Sequence, residues 1–255
     1  MFDPILEWRT ENIRGGDGVI AGADISQEWI LPWWWKHYSE HNSYPVAWVD
    51  FGMSKRAKEW CQKRGELVSL RMRGDFIVEE GKIDPTTKAD WECSCGTYFW
   101  PSRNVWFKKP FAFLQTPFER TIWIDIDCEV LGKIDPLFAF ADGPAKLGMY
   151  KEEISIQKGG GPTYNSGVIS FLRQNPLILD WAKECMEKND QFIGDQDVFS
   201  NLITRKKIAI GKIPLQYNWS RMRDGGREGT VICHWHGNHG KQVIRTQMLQ
   251  EEISF

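Results

Sequence analysis

Gly18-Val19-Ile20-Ala21-Gly22-Ala23, followed by Asp24-Ile25-Ser26, is the stretch on which the fold turns. A short apolar run bounded by glycine and an acid reads as a buried strand. Ser26 then reads as a helix cap, with Gln27 and Glu28 in the first turn of a helix running toward His41. Pro32 interrupts that helix early, so its first turn is expected as a separate piece. Val46-Ala47-Trp48-Val49 is a second strand, ending at Asp50-Phe51-Gly52. Ser54 caps a helix through Lys63, with Gly65 as its stop, and Glu66 to Leu70 is a third strand. Strand, helix, strand, helix, strand predicts an α/β chain with a mostly parallel central sheet, right-handed crossovers and flanking helices.

Outward from there the pattern loosens. Arg71 to Arg103 shows no period and mixes acids with Phe76, Trp91, Tyr98, Phe99 and Trp100. It reads either as an acceptor-side lid or as an insertion wrapped on the core. Lys108 to Thr116 is helix-like despite Pro110, and Arg120 to Ile126 is a strong strand. Tyr164 to Leu172 and Val231 to His234 read as strands, Leu177 to Lys188 and Gln196 to Thr204 as helices. Gly159-Gly160-Gly161-Pro162 is a loop without phosphate-cradle spacing, and no G-x-G-x-x-G follows a strand.

Composition narrows the function. With 42% hydrophobic and 26% charged residues in 255, the chain is globular and long enough for one large domain or two small ones. A formal net charge of -2 lacks the basic footprint that nucleic acid requires. No apolar stretch is long enough to span a bilayer, and Asp3, Glu7, Arg9 and Glu11 argue against a signal peptide, so a cytoplasmic location is expected. Six scattered cysteines read as reduced thiols, and Cys93-Ser94-Cys95 has no further ligand at zinc spacing. Fourteen tryptophans are unusual. Trp33-Trp34-Trp35 reads as a helix buried on the sheet, with a membrane or partner surface as the alternative.

Chemistry concentrates at Thr121 to Asp127. Alternation puts Ile122, Ile124 and Ile126 on one side and Trp123, Asp125 and Asp127 on the other. Two carboxylates on one side of an apolar strand repel each other and resist burial. A divalent cation relieves both costs, and hard oxygen ligands suit magnesium or manganese. The plain alternative is a strand end turning into solvent. The same pattern recurs at Asp195 and Asp197, where the acids read as the start of a helix.

The order of motifs from about Val19 to Lys241 resembles the family 8 glycosyltransferases, which include glycogenin and bacterial lipopolysaccharide glucosyl- and galactosyltransferases. The resemblance is carried by Gly22-Ala23-Asp24, Val49 to Ser54, Lys108-Lys109-Pro110-Phe111, Ile124 to Phe138, Asn165-Ser166-Gly167-Val168, Gly194-Asp195-Gln196-Asp197, Pro214 to Trp219 and His234-Trp235-His236-Gly237. It implies the GT-A fold, a Rossmann-like nucleotide-sugar transferase domain over 1–255. The nucleotide-binding half is expected over about 18–132 and the donor-sugar and acceptor half over about 133–241. It further implies a nucleotide-sugar donor, most simply UDP-linked, and a divalent cation, usually manganese. By resemblance Asp125, Asp127 and His234 are the metal ligands; a locally hydrogen-bonded strand-end histidine is the alternative for His234. Gly22, Ala23, Asp24, Lys108, Ser166, Gly167, Gly237 and Lys241 are expected at the nucleotide-sugar, with a solvated helix lysine the alternative for Lys108. In relatives a lysine lies three residues after the last glycine; here that position is Gly240, and Lys241 is one further. His239 could instead donate to phosphate.

The mechanism follows from the same resemblance. Asp195 and Asn165 are expected to hold sugar hydroxyls, with Gln196 near the anomeric carbon. Retention is implied, and since the residue matching a retaining nucleophile is an amide, a front-face transfer to an acceptor hydroxyl is expected. The acceptor, whether glycan, lipid-linked saccharide or other, and the oligomeric state are not legible. Two rivals stand beside this reading. A sugar nucleotidyltransferase would carry a Gly-rich basic loop where Asp24-Ile25-Ser26 lies. A non-catalytic carbohydrate-binding protein would explain the tryptophans but not the paired acids.

Overall fold

The computed structural model describes residues 13–72, 75–152, 163–220 and 227–255. The glycine loop at 159–162 and most of the N-terminal segment lie outside them. Strand β1 (Asp17–Ala23) leads through a 3-10 turn into helix α1 (Leu31–His41), then β2 (Val46–Asp50), α2 (Lys55–Gln62) and β3 (Glu66–Ser69). The anticipated break before Pro32 is this 3-10 turn at Glu28–Ile30. Ser26 caps neither piece; Asp24 Oδ1 instead holds the turn ahead of them, accepting the backbone N–H groups of Ser26 and Gln27, both at 3.0 Å. Ser54 caps α2 as expected, accepting from the N–H of Ala57.

The segment expected to lack period holds a helix. Asp84 accepts the N–H groups of Thr86 and Thr87, and Pro85 sits in the first turn of α3 (Pro85–Cys95). Only Trp91 of this helix is buried, so it has no apolar stripe to read; its signal is the cap. Its rings join Ile83 and Phe99 in a satellite cluster. Arg103, in the short helix α4 (Arg103–Trp106), fastens the insertion to the body. Its buried guanidinium lies against Trp91, Trp100 and Phe107 and donates to the carbonyls of Asn189, Phe192 and Ile193.

Helix α5 (Lys109–Leu114) precedes β4 (Arg120–Ile124) and β5 (Cys128–Val130). The strand ends at Ile124, earlier than expected; Asp125 to Asp127 form a turn closed by the N–H of Cys128 on the Asp125 carbonyl at 3.0 Å. β6 (Leu147–Glu152), which had no sequence signal, pairs with β7 (Thr163–Leu172). Helices α6 (Pro176–Lys188) and α7 (Asp195–Lys206), strands β8 (Gly211–Lys212), β9 (Trp219–Ser220) and β10 (Ile232–His234), and helix α8 (Gly237–Gln250) complete the chain.

The main sheet has the order β3-β2-β1-β4-β7-β6-β8, and a smaller one the order β5-β10-β9. β3, β2, β1 and β4 run parallel, as the crossovers predicted; β7 is antiparallel to both neighbours. Alternation divides the side chains between two cores. Val19, Ala21, Ile122 and Ile124 face α1, whose Trp33 and Trp34 are fully buried, while Trp35 packs on Trp48. The tryptophan triplet is therefore core. Ile20 and Trp123 face α5, α6 and α7, among Phe111, Trp181 and Phe199. The chain leaves β1 on one side toward β2 and β3, and returns on its other side as β4. The carboxyl ends of β1 and β4 thus flank the point where strand order reverses, which is where such sheets open a crevice.

Candidate functional site

The turn after β4 brings its acids to cations rather than to solvent. Lys109 Nζ lies 3.1 Å and 3.3 Å from the two oxygens of Asp125. It also donates to the Ser166 hydroxyl and carbonyl and stands 3.9 Å from Asp195 Oδ2. Burial pulls the Lys109 ammonium down, but Asp125 and Asp195 outweigh it and hold it above its ordinary range. The indole N–H of Trp123 donates to Asp125 at 2.7 Å. Lys108, the residue expected here, only precedes the helix and is half-exposed; the lysine at the carboxylates is its neighbour.

Asp127 meets His234 at the end of β10, Oδ1 to Nε2 at 3.3 Å, and Asp125 Oδ2 is 3.9 Å from the same nitrogen. Burial would lower the imidazole pKa, but Asp127 and Asp125 raise it above its usual value. Reciprocally, burial would raise Asp127, but the charge of His234 draws it far below the carboxylate range. Two carboxylates and an imidazole nitrogen converging in this way fit a hard or borderline divalent cation. The ligand atoms that lie within 4.8 Å of one another are those of Asp127, Cys128 and His234, but burial pushes the Cys128 thiol well above its ordinary pKa, and its Sγ lies 3.9 Å from the Gly167 carbonyl.

Two glycines make this geometry possible. A Cβ on Gly167 would stand 2.3 Å from Cε1 of His234, so the ring occupies the space a side chain would fill. A Cβ on Gly240 would stand 1.8 Å from the Trp235 carbonyl oxygen. No side chain can enter at 240, and the lysine stands at 241. From the first turn of α8 Lys241 lines the cleft, and its charge helps to hold Asp127 ionised.

The cleft is open to solvent, and the space within and over it, solvent included, is about 570 Å³. Gly22, Ala23 and Asp24 after β1, Asp125 and Asp127 after β4, Lys109, Lys241, and Ser102, Val105 and Trp106 all line it. Sequence reasoning missed Lys109, Ser102, Val105 and Trp106, although Lys109 stood within the quoted motif. Asn165, Ser166, Gly167, Asp195 and His234 lie outside the lining but are tied to it. Asp195 is buried on α7; its Oδ2 has no hydrogen-bond partner, and burial pushes its carboxyl up to about 6. Asp197 is a helix-start acid, accepting the N–H of Gly194 at 3.2 Å. Gln196 is half-buried beside Asp195, and Gly237, at φ +75°, opens α8. Neither lines the cleft.

No family model matches the chain, and neither does any curated protein. Solved structures do. Galactosyltransferase LgtC, in complex with donor and acceptor sugar analogues, superposes over 94% of this chain and 97% of its own, with TM-score 0.61 at 12% identity. Glycosyltransferase GlyE of Streptococcus pneumoniae TIGR4 does so over 96% and 65%, with TM-score 0.59 at 14% identity. Mouse xyloside xylosyltransferase 1, in its apo form, gives 88% and 98%, with TM-score 0.52 at 14% identity. The chain has the GT-A glycosyltransferase fold. On that fold the crevice at the ends of β1 and β4 is lined by Asp125, Asp127 and both lysines, with His234 against Asp127 beside it.

Proposed function

We propose that this chain is a glycosyltransferase that moves a hexosyl group from a UDP-sugar to an acceptor hydroxyl with retention of configuration. The observation that carries the reading is the meeting of Asp125 and Asp127 with His234, beside a cleft that Asp125, Asp127, Lys109, Lys241 and Gly22-Ala23-Asp24 line together. In this reading 18–132 supplies the nucleotide-binding half and 133–241 the donor-sugar and acceptor half. Asp125, Asp127 and His234 hold manganese or magnesium. When bound, the ion supplies positive charge to neutralise the departing diphosphate.

The remaining steps belong to the chain. Lys241 offers its ammonium to the diphosphate from the cleft wall, where charge grows as the glycosidic phosphate bond breaks. Lys109 is already committed to Asp125, Asp195 and Ser166, so its part is to hold the two acids in place. The unpartnered Oδ2 of Asp195 accepts a donor hydroxyl and fixes the ring. Gln196, an amide, is a poor nucleophile; retention then requires the acceptor to enter on the face the diphosphate leaves, with a diphosphate oxygen taking its proton. Trp106 and its neighbours form the wall past which the acceptor arrives. No helix among the described residues is long and apolar enough to cross a membrane. A cytoplasmic enzyme acting on a glycan or lipid-linked hydroxyl fits this reading.

A nucleotidyltransferase would need a Gly-rich basic loop after β1, where the self-capped turn of Asp24 stands. A panel of UDP-sugars incubated with manganese and scored for slow hydrolysis tests the proposal. One donor turned over, with the anomer retained in the acceptor product by NMR, is expected. No turnover of any sugar nucleotide, or an inverted product, contradicts it.

A further inference from the structure

Behind the cation site lies a row of buried amides that the transfer chemistry does not use. We infer that Glu152, Asn165 and Asn218 form a hydrogen-bond relay of fixed polarity, which makes Nδ1 of His234 the hydrogen-bearing nitrogen and leaves Nε2 to face the cation site.

The far end fixes the direction. An ionised carboxylate only accepts, so the Asn165 atom 2.9 Å from Glu152 Oε1 is the amide nitrogen. Asn165 Oδ1 then faces the other way, where it accepts the backbone N–H of Gly167 at 2.9 Å. A backbone N–H can only donate, so the two ends of the Asn165 amide are assigned independently and agree. The same oxygen lies 2.9 Å from Asn218, whose contacting atom must therefore be Nδ2. That turns Asn218 Oδ1 toward His234 Nδ1, at 3.1 Å. An acceptor at that position requires a hydrogen on Nδ1. Amide and imidazole orientations are ordinarily choices made from the network; here the row ends in groups that have no choice.

Burial gives the polarity its force. Asn218 is 1% exposed and His234 5%, so water offers neither an alternative partner. Gly167 serves the relay twice: its N–H anchors Asn165, and its missing Cβ admits the imidazole. Asn165 Oδ1 has both lone pairs engaged, so Asn165 acts here as a positioning residue and not as an acceptor for a sugar hydroxyl. The Nε2 nitrogen, 3.3 Å from Asp127 and 3.9 Å from Asp125, is the one left to bind an ion. Partners that orient a ligating histidine in this way contribute about 10–100-fold in metal affinity.

The functional weight of the relay rests on the cation reading above; its polarity does not. Nitrogen-15 NMR of the metal-free protein, with His234 assigned from a His234→Gln spectrum, tests the polarity directly. Nδ1 is expected to carry hydrogen throughout the pH range of the folded protein, including where the ring is neutral. A bare Nδ1 with hydrogen only on Nε2 overturns the inference. Binding of Mn2+, read from the electron paramagnetic resonance of the free ion, tests the consequence. Asn218→Leu is expected to weaken it about 10–100-fold, whereas Asn218→Asp keeps an acceptor on Nδ1 and most of the affinity. Glu152→Leu, which removes the acceptor three hydrogen bonds from His234, is expected to weaken it several-fold with unchanged circular dichroism. Wild-type affinity in both Glu152→Leu and Asn218→Leu overturns the inference. Should Asn218→Leu fail to fold, the tautomer spectrum and Glu152→Leu still decide. An unmodified protein that shows Nδ1–H but binds no Mn2+ supports the relay and removes the cation reading.

Discussion

The chain carries the pattern Asp-x-Asp twice, at Asp125 and Asp127 and at Asp195 and Asp197, and the two copies do different things. The first lies in the turn that closes β4. The turn, closed by the N–H of Cys128 on the Asp125 carbonyl, sets both carboxylates within 4 Å of His234 Nε2. The second begins α7, where residues two apart point about 200° from each other. Asp197 turns back to the N–H of Gly194, while Asp195 turns inward to Lys109 with one oxygen unpartnered. The difference lies in the backbone beneath each pair: a turn brings one pair to His234, and a helix splits the other into a helix-start acid and a buried acid beside Lys109.

The largest expected contrast comes from one oxygen in each pair. Asp127→Asn removes charge where an ion binds, and kcat is expected to fall about 10²–10³-fold, the scale of losing one electrostatic stabiliser. Asp197→Asn is expected to leave kcat near wild type and to cost about 0.5–1 kcal/mol in denaturant unfolding, the worth of a cap and helix-dipole charge. Similar losses of activity from the two variants would break the comparison.

Next come the glycines. Gly167→Ala places a Cβ 2.3 Å from a ring carbon of His234, so the ring must move and Mn2+ affinity is expected to drop steeply. Gly194→Ala places its Cβ 3.2 Å from Trp106, within reach of small adjustments. It is expected to cost under about 1 kcal/mol and to leave ion binding unchanged. Calorimetric Mn2+ titration of both variants checks this.

The smallest effect is on pH. Burial raises the Asp195 carboxyl to about 6 in the folded chain. Folded protein then binds more protons here than unfolded chain between the ordinary carboxylate range and about 6. Its contribution to stability therefore falls as pH rises through that window. Asp195→Asn should flatten this slope in unfolding curves, while Asp197→Asn should not.

How much of this was legible depends on whether a signal was local. β1, β2, β3, β7 and α2 announced themselves by apolar runs, caps and stops, and the Ile122-Ile124-Ile126 alternation fixed the face of β4. Lys108 and Lys109 could not be told apart, because α5 is buried all round from Lys109 to Leu114 and has no polar face to set its phase. α3 hid because its information lies in the Asp84 cap rather than in periodicity. That position 240 admits no side chain became visible only with the Trp235 carbonyl in place. Asn218 was visible as part of a motif, but its partner His234 stands on the neighbouring strand, 16 residues on, and sequence does not record that pairing.

Titration of UDP into the protein by calorimetry, with and without manganese, tests the central claim most directly. UDP is expected to bind the unmodified chain only when manganese is present, and not to bind Asp127→Asn in either condition. UDP binding of equal strength without the ion, or retained in Asp127→Asn, would contradict the assignment of Asp125, Asp127 and His234 as its anchor.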